Sequence, residues 1–304
     1  MTRYFMPLRD LAERLNGTVN GRWVNIQGLR HSRNDRSLGV RFDPAAPDGF
    51  FVHSFADEQA ECRAYVKSLI AKLGAQLYAP YELNDADAER AHAEQVLARI
   101  SRAMVLWEQA KPAKGTIVEA YLRSRRCRLE AVIAADVLRV HPNCPFGPFR
   151  VPVMLALITD ALTGEPIGVH RTAIKIDGSG KRVLGEGISS KMILGVARRG
   201  AVRLHVASEH LGIAEGIETA LSASHVFGVG IWATLSKGGI ATFPIREGVK
   251  RLTVFADHDP PGLKAAHKCC RRYQAAGIDA EVRYPPCAGT DWNDFTMQES
   301  SACP

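Results

Sequence analysis

The chain has 304 residues, 46% hydrophobic and 23% charged, with a formal net charge of +7 and a pI near 9.1. That length holds two or three domains with cores of their own, the composition excludes a largely disordered chain, and no apolar run reaches the roughly 18 residues that span a bilayer. The excess positive charge calls for an acidic partner outside the chain; nucleic acid fits, and a basic soluble protein with solvated charges is the competing reading.

The first ten residues carry charges where a signal peptide needs an apolar core, so the sequence predicts a cytoplasmic protein with no membrane partner. Cys62, Cys127, Cys144, Cys269, Cys270, Cys287 and Cys303 show neither a paired framework nor a C-x-x-C spacing and read as reduced thiols. A short helix over 8–15 is followed by strands over 23–26, 37–42 and 50–54, broken by Gly and Asp/Pro turns, and by a helix over 58–73. Residues 1–80 thus read as a small β-rich module.

A polar helix over 85–109 comes next, with Val96, Ile100, Met104 and Trp107 at helical spacing, and Lys111-Pro112 stops it. A helix over 118–125, an irregular Pro/Gly segment over 142–152 and a hairpin of 153–158 with 167–176 complete a mixed α+β segment, 85–200. From Val202 short buried strands alternate with helices: 211–214, 218–227, 230–235, 252–256, 262–276 and 280–284. Alternation of this kind predicts an α/β domain over 201–304, a parallel sheet with flanking helices. In such sheets functional groups collect at the carboxyl ends of the strands.

Two of those ends are acidic. One reads Ile213-Ala214-Glu215-Gly216-Ile217-Glu218 and the other Phe255-Ala256-Asp257-His258-Asp259-Pro260-Pro261-Gly262. Asp257 and Asp259 are two apart, so on extended backbone they point to one side, and Gly216 and Gly262 permit sharp turns into the next helix. Converging carboxylates repel one another, and a hard divalent cation with oxygen ligands, Mg²⁺ or Mn²⁺, relieves the repulsion. The competing reading makes these residues ordinary helix N-caps.

Glu215-Gly-x-Glu218 followed by Asp257-x-Asp259-x-x-Gly262 resembles the signature of the Toprim family of primases, topoisomerases and nucleases, over the last third of the chain. The resemblance implies a Rossmann-like fold and divalent metal on Glu215, Asp257 and Asp259, with Glu218 a weaker ligand candidate. Thr290-Asp291-Trp292-Asn293-Asp294 resembles the segment that closes the domain in phage and plasmid primases, which adds Asp291 to the acidic rim; the alternative is a polar loop capping a terminal helix. No tyrosine-nucleophile domain and no Gly-x-x-x-x-Gly-Lys-Ser/Thr loop is present.

The middle segment resembles the basic subdomain of bacterial-type primases, which implies phosphate-binding roles for Arg171, Lys181 and Lys191; solvated surface charge is the bland alternative. Residues 28–38 and 51–55 resemble the opening and the "His-Cys-Phe" of a primase zinc ribbon from which the cysteines are gone. With only His31 clearly in place, and His53 and Cys62 as stray candidates, no zinc is expected. The module would still present Arg30, Arg33, Arg36 and Arg41 to nucleic acid, with Trp23, Phe50 and Phe51 for stacking or for the core. Arg123, Arg125, Arg126 and Arg128 form a further basic cluster, for template phosphates or for the helix dipole. His170, His258 and His267 lack a nucleophile partner.

Together these readings describe a DNA primase of the mobile-element type that makes RNA primers on single-stranded DNA from ribonucleoside triphosphates, with a replicative helicase as a further partner. A metal-dependent Toprim nuclease and a non-catalytic single-strand-binding factor are the alternatives.

Overall fold

The computed structural model describes residues 8–20, 23–29, 31, 35–42, 46, 48–54, 58–72, 85–129, 137–185 and 188–298. Two compact units, 1–96 and 97–304, divide the chain. In the first, α1 (Leu8–Arg14) precedes a four-stranded antiparallel sheet of β1 (Thr18–Asn20), β2 (Trp23–Ile26), β3 (Leu38–Phe42) and β4 (Phe50–Ser54), and α2 (Gln59–Lys72) follows it. The period of two sorts the side chains: Val24, Ile26, Leu38, Val40, Phe50 and Val52 turn inward onto Leu11, Cys62 and Val66. The other face carries Arg41 over Phe51 at 4.8 Å and over Trp23 at 5.5 Å, so Phe50 serves the core while Trp23 and Phe51 flank an arginine.

The boundary between the units falls within α3 (Asp85–Glu108). After β5 (Lys111–Pro112) and α4 (Ile117–Ser124), the chain builds an antiparallel sheet from β6 (Leu138–Phe146), β7 (Phe149–Asp160), β8 (Pro166–Ala173) and β9 (Lys191–Gly195). The order is β5-β6-β7-β8-β9, and β10 (Gly200–Ala201) pairs with β7. The segment expected to be irregular, 142–152, is therefore part of a regular hairpin. Pro142 and Asn143 lie between the paired residues His141 and Cys144, opposite Pro152 alone, in a bulge where a missing N–H breaks no ladder bond. Val153, Leu155 and Val169 on one face pack on Ala103, Leu106 and Trp107 of α3, and Met154, Ala156 and Ile158 on the other face pack on Val118, Tyr121 and Leu122 of α4.

A third sheet is all parallel, in the order β12-β11-β13-β14, from β11 (His210–Ala214), β12 (Ile231–Ala233), β13 (Arg251–Phe255) and β14 (Asp279–Arg283). The crossovers are α5 (Ile217–Phe227), α6 (Lys237–Ala241) and α7 (Pro260–Ala275), and α8 (Trp292–Gln298) ends the described chain. The strands are near-continuous apolar runs because helices cover both faces: α6 and α7 against Leu211, Ile213 and Val254, and α5 and α8 against Ala214, Ile231 and Phe255. The chain leaves β11 for β12 on one side and then crosses to β13 on the other. The carboxyl ends of β11 and β13 thus border the crevice where such sheets bind ligands.

Among the described residues no helix is long and apolar enough to cross a membrane. Cys62, Cys127, Cys144, Cys269 and Cys270 are buried thiols. Cys287, expected to be reduced with the rest, is disulfide-bonded, a pairing fixed by proximity in space that spacing along the chain does not reveal.

Candidate metal and phosphate site

Parallel pairing sets Ala214 level with Phe255, so Glu215 and Asp257 emerge at the same edge of the sheet. Glu215 Oε2 and Asp257 Oδ1 are both buried and have no hydrogen-bond partner among the described residues. Burial, followed by the charges of Glu215, Asp291 and Asp259, pushes the Asp257 carboxyl up to about 7, against the pull of Lys237. Burial also raises Glu215, which Lys237 opposes and Asp259 and Asp291 reinforce. These are the signs of carboxylates whose burial and mutual repulsion outweigh the one ammonium beside them.

Asp259 behaves differently. It is the N-cap of α7: its Oδ1 accepts from the Gly262 N–H at 2.7 Å, and its Oδ2 accepts from the Lys237 ammonium at 2.7 Å. Burial alone would raise its carboxyl, but the Lys237 and Gly262 hydrogen bonds outweigh that and hold it low. Asp259 is thus engaged by the first turn of α7 and by Lys237, a lysine that no sequence signal pointed to. Gly262 is needed here for space rather than for an unusual φ: a Cβ would stand 2.8 Å from the Asp257 carbonyl oxygen and 2.9 Å from Asp259 Oδ1. Asp291 exchanges hydrogen bonds with Asp294 at the start of α8, its Oδ1 accepting at 2.8 Å, and its Oδ2 accepts from Thr219 at 3.3 Å.

The second cluster centres on Glu218, whose residue is 4% exposed. Its Oε1 accepts from the Tyr121 hydroxyl at 2.6 Å, while Lys181 Nζ stands 3.3 Å from Oε1 and Lys191 Nζ 3.3 Å from Oε2. Burial alone would raise this carboxyl; the two ammoniums and the tyrosine overcome it and hold Glu218 well below the usual range. Glu218, weighed above as a weaker metal ligand, is therefore the counter-ion that gathers two lysines. Tyr121 gave no signal in the sequence, since it sits on the apolar stripe of an amphipathic helix like any core aromatic.

Strand alternation decides which of the expected phosphate-binding residues reach this cluster. Thr172 pairs with Lys191 and His170 with Ile193, so these share one face of the sheet, and Arg171 with its partner Met192 takes the other. Arg171 donates to the Pro145 carbonyl at 2.7 Å and lies 5.5 Å from the Phe146 ring, apart from Lys181 and Lys191. His170, 6% exposed, is pushed down to about 4 by burial and then by Lys191.

Of the residues expected to meet nucleic acid, Arg30 and Arg33 lie outside the described residues. Arg36 donates to the Asp35 carbonyl at 2.6 Å. Arg123 is exposed and pairs with Glu119 at 3.3 Å, and Arg126 donates to the Thr296 carbonyl at 2.9 Å, tying α4 to α8. His31 stands 3.2 Å from Asp35, and His53 meets the Trp23 ring edge-on.

The donors at the strand ends fit a hard divalent ion in kind, being carboxylate oxygens with two buried and unpartnered among them. With Lys237 seated on Asp259, no group of three or more His, Cys, Asp or Glu among the described residues already stands as a ligand set.

Residues 210–302 match the family model of the Toprim domain, and residues 98–204 match a domain of unknown function, DUF7146. The parallel sheet with acidic strand ends is thus a Toprim domain, as the signature residues led one to expect. Among solved structures, the chain is similar to the zinc-binding and RNA polymerase domains of the Aquifex aeolicus primase, with TM-score 0.45 and 15% identity over 96% of this chain and 79% of that one. It is also similar to a DNA primase domain from Pseudomonas aeruginosa (0.46, 16%, 66% and 75%) and to the primase fragment of the bacteriophage T7 primase-helicase protein (0.39, 13%, 54% and 64%). No curated protein matches the chain.

Proposed function

We propose that the protein is a DNA primase that synthesises RNA primers on single-stranded DNA by metal-dependent nucleotidyl transfer. The observation that carries this reading is a pair of acidic groups, Glu215 and Asp257, each with a buried oxygen that no described residue hydrogen-bonds, in the same Toprim domain as a buried carboxylate that holds two lysines contributed by the preceding segment. In this reading Glu215, Asp257 and Asp259 hold Mg²⁺ or Mn²⁺, with Asp291 on the rim. The ion supplies activation of the attacking hydroxyl and neutralises charge developing at phosphorus. Lys181 and Lys191, each about one-third exposed, are held at their ammoniums by Glu218 and offer the remaining N–H donors to the triphosphate. Arg171 supports the hairpin from the far face.

Residues 1–80 act as the template-binding module, a zinc-free descendant of the primase ribbon, 85–200 as the basic subdomain and 201–304 as the catalytic domain. Arg41 between Trp23 and Phe51 offers a stacking surface for bases, and Arg30, Arg33, Arg36, Arg123 and Arg126 meet nucleic-acid phosphates. The setting is cytoplasmic, on a mobile element, beside a replicative helicase. The test is primer synthesis on single-stranded DNA with ribonucleotides and Mg²⁺. Wild type makes short RNA and Asp257→Ala loses at least 100-fold of that rate. Activity that survives Asp257→Ala overturns the mechanism. Metal-dependent loss of DNA without nucleotides identifies a Toprim nuclease instead, and single-strand binding indifferent to chelator with no product identifies a binding factor.

A further inference from the structure

The acidic site already contains a cation, and it belongs to the chain. Lys237 is the first residue of α6, after β12, whereas Asp259, whose Oδ2 it meets at 2.7 Å, follows β13. In the order β12-β11-β13 these strands are separated by β11, and neighbouring strands lie about 4.8 Å apart. An ammonium that joins the two outer strand ends must cross the carboxyl end of β11, where Glu215 stands.

The loop that carries Lys237 is held to this task. Thr234 N–H donates to the Ala214 carbonyl at 2.8 Å and Leu235 N–H to the carbonyl of Glu215 itself at 2.9 Å. Leu235 has φ +67°, a left-handed conformation that costs a leucine free energy and persists only where the surroundings impose it. The next residue, Ser236, caps α6 by accepting from Gly239 at 2.9 Å, and a Cβ on Gly239 would stand 2.3 Å from the Thr234 carbonyl oxygen. Backbone fastened to the first acidic strand end thus delivers a side chain to the other.

We propose that Lys237 is a resident counter-cation of the Toprim carboxylates, which holds Asp259 in the metal-free protein and must leave it before that carboxylate can face a divalent ion. The lysine and the metal then compete for one acidic site, so that occupancy by metal is a switch of Asp259 from Lys237 to the ion. This inference rests on the metal-binding reading of Glu215, Asp257 and Asp259.

Mn²⁺ binding to the full-length protein, followed by the electron paramagnetic resonance of unbound Mn²⁺ in low salt, tests it without recourse to activity. Lys237→Met, which removes the competitor and its charge, binds Mn²⁺ at least tenfold more tightly than wild type, and Lys237→Arg stays within threefold. Equal or weaker binding by Lys237→Met overturns the proposal. In wild type, labelling of the Lys237 amine by acetic anhydride, read by mass spectrometry, rises several-fold when Mn²⁺ is added; unchanged labelling overturns the proposal even if the methionine variant does not fold. Asp257→Asn separates the two ideas. If wild type binds no Mn²⁺, or Asp257→Asn binds as wild type does, the metal-site reading fails and takes this inference with it. If Asp257→Asn loses binding while Lys237→Met is unchanged, only the inference fails.

Discussion

Glu218, buried, and Asp257, partly buried, are carboxylates of one domain with opposite fates. Burial disfavours the charge of each, but Glu218 has two ammoniums and a hydroxyl, whereas Asp257 has three acidic neighbours against the charge of Lys237 alone. Charge pairing therefore wins at one and desolvation at the other. The consequence for Glu218 is structural as well as chemical, since it joins a residue of α4 to Lys181 and Lys191. Glu218→Gln keeps the size and removes the charge. Because both lysines remain about one-third exposed and water shares their solvation, the expected loss is about 2 kcal/mol rather than the larger cost of breaking a fully buried pair. Urea unfolding should show a lower midpoint with an unchanged slope; an unaltered midpoint would mean that Glu218 is not the clamp described.

At the scale of elements, α8 shows how a short terminal helix is secured. Asn293 is fully buried and donates to the Arg125 carbonyl at 2.7 Å and to Ser222 Oγ at 2.9 Å, so one side chain links α8, α5 and the end of α4. Asn293→Ala leaves a buried carbonyl and hydroxyl short of a donor, at a cost of about 1–3 kcal/mol. Faster amide exchange confined to α8 and the residues after α4 is the expected sign, and exchange as in wild type would discount the link. The sequence made the parallel sheet legible because its strands are continuous apolar runs bounded by Gly and acidic residues. It hid β6 because Pro142, Pro145 and Pro152 signal irregular chain, and only pairing with β7 reveals that the bulge absorbs Pro142. Glu215, Asp257 and Asp259 were legible as acidic strand ends. Lys237 was not, since no local pattern says which strand end a lysine will cross.

For the whole molecule, His170 and Asp257 contribute to acid stability with opposite signs, beside the depressed carboxyls of Glu218 and Asp259. His170 has a folded-state value of about 4, below its ordinary 6.5, so its contribution is full above pH 6.5 and is lost as pH falls toward 4. The loss is on the order of 3 kcal/mol. Asp257, raised to about 7 from 3.8, costs stability when ionised and regains it over much the same interval. The informative quantity is therefore the difference between wild type and His170→Gln: the variant should gain on wild type as pH falls from 6.5 to 4 in thermal unfolding, and parallel curves would contradict the burial of a neutral imidazole.

By itself the sequence determined the class of each segment, the parallel sheet of residues 201–304 and the acidic strand ends, because these follow from local periodicity and from which residues can end a strand and begin a helix. Only the tertiary structure decided the partners: Arg171 on the far face, Lys181 and Lys191 gathered by Glu218 and Tyr121, and Asp259 held by Lys237. Charge pairing depends on distances between residues tens of positions apart, and those distances are set by strand order and register, which no local pattern encodes.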